Sequence, residues 1–166
     1  MTGVRAVVLA DTHIRRGGKR RLPDAAYSLL DRADVILHAG DVLIQELLDE
    51  LGGFAPTYAV LGNNDHELAG ALPETRLLEL AGVRVAMIHD SGPTKGRDGR
   101  MRRRFPDADV VVFGHSHAPV NRPGVGGQLL FNPGSPTEKR MQPDHTLGVL
   151  ELDDGRVVGR EIKILR

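Results

Sequence analysis

The 166-residue sequence has no cysteine and no tryptophan. Without thiols there is no disulfide framework and no thiolate metal site, and a reducing, cytoplasmic setting is expected. Aromatic residues make up 4% of the chain, so the core must rest on Val, Leu, Ile and Ala. A stacking platform for single-stranded nucleic acid is equally short of material. Net charge is also missing: 22 Lys and Arg balance 22 Asp and Glu. That balance weighs against a nucleic acid as dedicated partner. No apolar run approaches the ~18 residues of a membrane span, so no membrane partner is expected. The first apolar run, Val4 to Ala10, is too short for a signal segment and ends in an aspartate. There is no repeat, linker or low-complexity stretch. One domain over residues 1–166 is the expectation.

What is present reads as strand, loop and helix in turn. Val4–Ala10, Val35–Ala39, Thr57–Leu61 and Val110–Phe113 are short apolar runs of the kind found in buried strands. Asp24–Arg32, with Pro23 at its start, and Leu43–Leu51, followed by Gly52-Gly53, read as helices. Arg76–Leu80 and Val83–Ile88 read as a hairpin around Ala81-Gly82. Gly99–Phe105 reads as a helix. Gln128–Phe131, Thr146–Leu152 and Val157–Ile164 are further strands, the last two joined at Asp154-Gly155. The first half predicts parallel pairing and the second antiparallel pairing. A mixed, two-sheet α/β sandwich accommodates both.

The informative residues stand directly after the strands. They are Asp11 and His13, then His38 and Asp41, then Asn63, then His89, then His115 and His117 in the run "VVVFGHSHAP". In an extended segment residues i and i+2 share a face, so His115 and His117 point one way. Taken singly, each has a plain structural reading. Asp41 caps the helix that follows, Asn63 holds a left-handed turn beside Gly62, and His89 is a surface histidine. Together they place carboxylate, imidazole and amide groups at five strand ends. That donor set suits Mn²⁺, Fe²⁺, Zn²⁺ or Mg²⁺ rather than soft ions.

Asp11-x-His13, Gly40-Asp41, Gly62-Asn63, His89 and Gly114-His115-x-His117 resemble, in order, the motif set of the calcineurin-like metallophosphoesterases. The short length and the "FNPGSPTEKR" segment (Phe131–Arg140) resemble its small YfcE-like phosphodiesterase branch. The resemblance implies a four-layer α-β-β-α sandwich of two mixed β-sheets, with the metal site at the C-terminal ends of the strands. It implies two divalent ions, Mn²⁺ first, with Ni²⁺, Zn²⁺, Fe²⁺ and Mg²⁺ as alternatives. Asp11, His13 and His117 would hold one, Asn63, His89 and His115 the other, and Asp41 would bridge them. A hydroxide shared by the pair would attack a small phosphodiester substrate in line.

One position departs from the wider superfamily, which often has histidine where this chain has Asn64. That puts leaving-group protonation in doubt and favours good leaving groups. Asp65 is a candidate to orient Asn64 or a substrate water. His66 is either a substitute for the missing imidazole or an exposed turn residue. His38 either orients a ligand from behind or serves only its strand end. Arg15 and Arg16, just past a ligand position, are candidate substrate contacts. The basic run Arg97–Arg104 reads as a solvated helix face. Two competing readings remain: a protein-interaction scaffold on the same fold, as in a retromer subunit, and a phosphomonoesterase or nuclease. Pairing with a second copy is left open.

Overall fold

The computed structural model describes residues 3–166. Ten strands form two five-stranded sheets. The first has the order β10-β9-β1-β2-β3, built from β1 (Val4–Leu9), β2 (Val35–His38), β3 (Thr57–Ala59), β9 (His145–Asp153) and β10 (Arg156–Leu165). The second has the order β4-β5-β6-β8-β7, built from β4 (Thr75–Leu80), β5 (Val83–Ile88), β6 (Val110–Val112), β7 (Val120–Pro123) and β8 (Leu129–Asn132).

The period-2 pattern of the strands makes the layers. In β1, Ala6 and Val8 point into the cluster between the sheets, with Val110, Val112, Phe131, Leu150 and Leu152. Val7 and Leu9 point the other way, onto helices α1 (Asp24–Leu30) and α2 (Gln45–Gly52). Each helix buries an i, i+4 pair there, Ala26 with Leu30 and Leu47 with Leu51. On the outer face of the second sheet, Val111, Phe113 and Leu130 meet Met101 of α3 (Arg97–Arg104). The result is the expected four-layer α-β-β-α sandwich.

The β4–β5 hairpin forms as read, with Ala81 at φ 49° and Gly82 at φ 80°. Asp154 and Gly155 turn β9 into β10 in the same left-handed way. The second half corrects one expectation. β5, β6 and β8 pair in parallel, and only β4 and β7 run against them. The physical reason lies in the connections. The chain leaves β5, passes through α3 and returns, which is a crossover and not a hairpin. Strand β7 escaped the sequence reading because "VNRP" is half-exposed and polar, and its proline is tolerated only at an edge. Helix α2 begins at Gln45 rather than Leu43, because Leu43 has φ 82° and cannot be helical. Helix α3 begins at Arg97 rather than Gly99: Arg97 is buried over the Phe113 ring, 4.9 Å from its centre. No helix among the described residues is long and apolar enough to cross a membrane.

Candidate metal centre

β1, β2 and β3 end beside β5 and β6, so the loops of both sheets meet at one edge. Backbone hydrogen bonds tie them together. Asp11 N–H donates to Gly40 O at 2.9 Å, His13 N–H to Asp41 O at 3.1 Å, and Gly114 N–H to His89 O at 2.9 Å. His115 N–H donates to Asp11 Oδ2 at 2.9 Å, which joins the end of β6 to the end of β1. All seven candidate ligands are thereby brought to one place.

Their backbones are unusual. Asp11, His13, Asp41, His115 and His117 all have φ between 46° and 75°. This left-handed region is sparsely used by residues other than glycine and costs of order 1–3 kcal/mol each. It turns the side chains back across the strand ends, so that they converge.

Two overlapping groups of donors result, each with atoms within 4.8 Å of one another: Asp11, His13 and His117, and Asp11, Asp41 and His89. Asp41 Oδ2 lies 3.3 Å from His13 Nε2 and 3.4 Å from His89 Nε2, so it faces both halves. Asp11 Oδ1 lies 3.6 Å from His117 Nε2 and 3.8 Å from His89 Nε2. Asp11 therefore reaches both halves too, although the resemblance implied only one. Asn63 Oδ1 lies 3.0 Å from His89 Nε2 and 3.3 Å from His115 Nδ1, which completes the second half.

The residues fit a cation on their own evidence. Asp11 Oδ1, His13 Nε2 and His117 Nε2 are buried polar atoms with no hydrogen-bond partner. Orphans of that kind are rare and costly, and these three face one another. The histidine tautomers also suit. His117 Nδ1–H donates to Glu138 O, and His89 Nδ1–H donates to Ala39 O at 2.7 Å. Each leaves Nε2 as the ligand atom.

The electrostatics carry the same signature. Burial pushes the Asp11 carboxyl up to about 7, although nearby His89 and His13 oppose it. Burial also acts on Asp41, but the His13 and His89 imidazoles and the Asn64 N–H overcome it and hold this carboxyl well below the usual range. Burial lowers His89, but Asp41 and Asp11 overcome that and raise it. His117 is lowered, mainly by burial.

The remaining sequence candidates fall at different distances from this centre. Asp65 does not face substrate or solvent. It is buried, and its Oδ2 accepts from Asp41 N–H at 2.9 Å and Gly62 N–H at 2.7 Å, while Oδ1 accepts from Leu43 N–H at 2.7 Å. It holds two ligand loops together and does not orient Asn64 or a water. Asn64 donates from Nδ2 to Asp41 Oδ2 and from its backbone N–H to Asp41 Oδ1, both at 2.9 Å. Asp41 is thus held by Asn64 and does not cap α2, whose start has no side-chain cap. His38 is fully buried, and burial pushes it down to about 3. Its Nδ1 accepts from Gly40 N–H, so Nε2–H donates to Thr12 Oγ1 at 3.0 Å, which leads on to Asp41 O. His38 acts on the ligands through Thr12.

Arg15, Arg16, Asn64, His66, Glu138 and Arg140 line a cleft of about 550 Å³ beside His13, with Leu43 and Ile44 as its apolar lining. Arg16 is engaged there by Glu46 at 2.5 Å and Glu67 at 2.9 Å, which leaves Arg15 the freer of the two. His66 opens a 3-10 turn on the rim, exposed. The Asn-Pro-Gly-Ser segment shapes the loop: Asn132 donates to Gly114 O at 3.2 Å and Ser135 Oγ to Asp11 O at 2.8 Å. Glu138 and Arg140 escaped the sequence reading. They lie in the "FNPGSPTEKR" segment that carries the family resemblance, but no strand directly precedes them and nothing in the segment singles out these two residues.

The calcineurin-like phosphoesterase superfamily domain matches residues 4–155. The chain belongs to that superfamily. A protein of Methanothermobacter thermautotrophicus described as a probable metallophosphoesterase is 35% identical over 148 residues, 88% of this chain and 84% of its own. The fold is similar to vacuolar protein sorting 29 of Cryptosporidium parvum, with TM-score 0.79, 22% identity, and 99% and 97% of the two chains covered. It is also similar to an archaeal phosphodiesterase, with TM-score 0.69, 19% identity, and 97% and 99% covered. As in a metallophosphoesterase, this chain has Asp and His clusters able to bind divalent metal.

Proposed function

We propose that this metallophosphoesterase is a phosphodiesterase that acts on small phosphodiesters with two divalent ions. The observation that carries the reading is the pair of donor groups sharing Asp11, with the orphaned atoms Asp11 Oδ1, His13 Nε2 and His117 Nε2 in one of them. Asp11, His13 and His117 would hold one ion, and Asn63, His89 and His115 the other, with Asp41 between. A bound pair supplies an acidified water and Lewis acidity toward phosphoryl oxygens. Oxygen and imidazole donors without thiolate suit Mn²⁺, Fe²⁺, Ni²⁺, Zn²⁺ or Mg²⁺ rather than soft ions, and the family resemblance puts Mn²⁺ first.

The chain's own groups divide the remaining work. Asn64 fixes both Asp41 oxygens, and Asp65 fixes the loops that carry Asp41 and Asn63. Arg15 and Arg140 offer positive charge along the cleft, where the substrate phosphate would enter. Leu43 and Ile44 offer apolar lining for one ester arm. Asn64 cannot donate a proton to a leaving group, so an activated alcohol or phenol is favoured, with His66 on the rim as the one imidazole within the cleft lining besides His13.

The test is hydrolysis of bis(p-nitrophenyl) phosphate by metal-stripped protein before and after Mn²⁺, alongside the number of ions bound per chain. Turnover that appears only with metal, at two ions per chain, supports the reading. Absence of turnover with every divalent ion refutes it.

A further inference from the structure

Three carboxylates outside the ligand set lie against it: Asp65 is buried on backbone N–H groups, Asp90 is exposed 3.9 Å from His115 Nε2, and Glu138 faces His13. Its Oε2 is 3.7 Å from His13 Nε2, and its Oε1 is 3.4 Å from Arg20. Its backbone is fixed at both ends: the N–H donates to Ser135 Oγ at 2.8 Å, and the carbonyl accepts from His117 Nδ1. Ser135 in turn holds Asp11 O. The side chain is about one-third exposed and lines the cleft beside His13. It does not belong to either donor group within 4.8 Å, so it stands at the mouth and not among the ligands.

A fixed negative charge at the mouth acts differently on different phosphate esters. A phosphodiester carries one negative charge, and a phosphomonoester carries two near pH 8. We propose that Glu138 is a specificity-determining residue that disfavours doubly charged phosphomonoesters, with Arg20 moderating its charge. The proposal rests on the two-ion phosphodiesterase reading above. It explains how a site with Arg15 and Arg140 on its walls could still prefer the less charged ligand. With an effective dielectric constant of about 20, one unit charge ~7 Å from an added ligand charge alters affinity by about fifty-fold. Partial exposure and the Arg20 partner screen this to about tenfold.

The experiment uses the full chain loaded with Mn²⁺, and Glu138→Gln, Arg20→Gln and the double variant prepared the same way. Calorimetry at pH 8 measures binding of methyl phosphate, a dianion, and dimethyl phosphate, a monoanion. Elemental analysis counts bound Mn²⁺. Glu138→Gln is expected to raise the methyl-to-dimethyl affinity ratio about tenfold with Mn²⁺ content unchanged. Arg20→Gln is expected to lower that ratio, since it unmasks the carboxylate, and the double variant to follow Glu138→Gln. A ratio unmoved by Glu138→Gln overturns the proposal. So does loss of Mn²⁺ from that variant, which would make Glu138 a ligand, and so does failure of either anion to bind any form. Turnover of bis(p-nitrophenyl) phosphate is scored separately. A ratio that moves without turnover keeps the charge selection and refutes the phosphodiesterase reading, while turnover with an unmoved ratio does the reverse.

Discussion

Replacing Asp11 with asparagine is expected to make the metal-free protein more stable above neutral pH. Asp11 is fully buried, its Oδ1 has no partner, and its Oδ2 accepts one backbone N–H from His115. Burial is the largest influence on this carboxyl and raises it from 3.8 to about 7. A folded-state pKa above the unfolded one means that the folded protein binds the proton more tightly. The contribution to stability is therefore fully present below about pH 4 and is lost as pH rises through 7. At pH 8 the ionised carboxylate costs up to ~4 kcal/mol, from roughly three pKa units at 1.36 kcal/mol each. Asparagine has nearly the same shape and no charge. Urea unfolding of chelator-treated wild type and Asp11→Asn at pH 8 and pH 4 measures the difference. The variant should be more stable by up to ~4 kcal/mol at pH 8, and the two should converge near pH 4. The lowered pKa of His38 falls in the same interval, but it is common to both proteins and cancels from the comparison. A variant that is less stable than wild type at pH 8 would refute the reasoning, because the carboxylate's contacts with His13 and His89 would then outweigh its burial.

Gly62→Ala should cost ~3 kcal/mol or more and abolish metal binding, since a Cβ there would lie 2.2 Å from Asp41 Oδ1 and 2.3 Å from Asp41 N; thermal unfolding and metal analysis report both effects. Asp65→Asn turns an acceptor of three backbone N–H groups into one that faces some of them with an NH₂. A loss of ~2–3 kcal/mol and of metal affinity is expected, read by urea unfolding and Mn²⁺ titration. Asn64→Ala removes the Nδ2 bond to Asp41 Oδ2 and keeps the backbone bond to Oδ1, so it should weaken Mn²⁺ binding while costing the fold only ~1 kcal/mol, measured by the same two methods. Mn²⁺ at a hundredfold above its Kd should raise wild-type stability by ~2.7 kcal/mol and raise Asp11→Asn by less.

Most strands were legible because the sheets bury both faces of their central strands, which leaves apolar runs such as Val4–Leu9 and Val110–Val112. Strand β7 was not, because an edge strand with one face in water needs no such run. The partner order of the second sheet was not legible either. Nothing within Leu129–Asn132 says that it lies beside β6. The ligand positions stood out because polar groups follow directly on apolar strands. What Asn64 and Asp65 do was hidden, since it depends on which N–H groups meet their oxygens. Asp65 lies next to Asn64, yet it bonds to Asp41, Leu43 and Gly62. Glu138 is 21 residues beyond His117, and its role arises only where the chain returns.

The same long-range bonds bear on how a cation would bind. Five ligand residues sit at positive φ, a total of about 5–15 kcal/mol at about 1–3 each. That is comparable to the whole stability of an ordinary domain. Loops left to themselves would relax to ordinary backbone and scatter the ligands. They are held by Ser135 Oγ on Asp11 O, Thr137 Oγ1 on Thr12 O, Asp65 on three backbone N–H groups, and Asn132 on Gly114 O. Each of these anchors grows from a strand end or a loop braced by the buried core between the sheets. The ligand geometry is therefore set by the fold before any ion arrives, and an ion need not order the loops as it binds. Affinity should then respond to anchors that never touch the ion. Thr137→Val removes the bond to Thr12 O, at 2.6 Å, and the long contact with Ser135 Oγ, at 3.5 Å. It should weaken Mn²⁺ binding several-fold while every ligand remains, and unchanged affinity would mean that the ligands hold themselves in place.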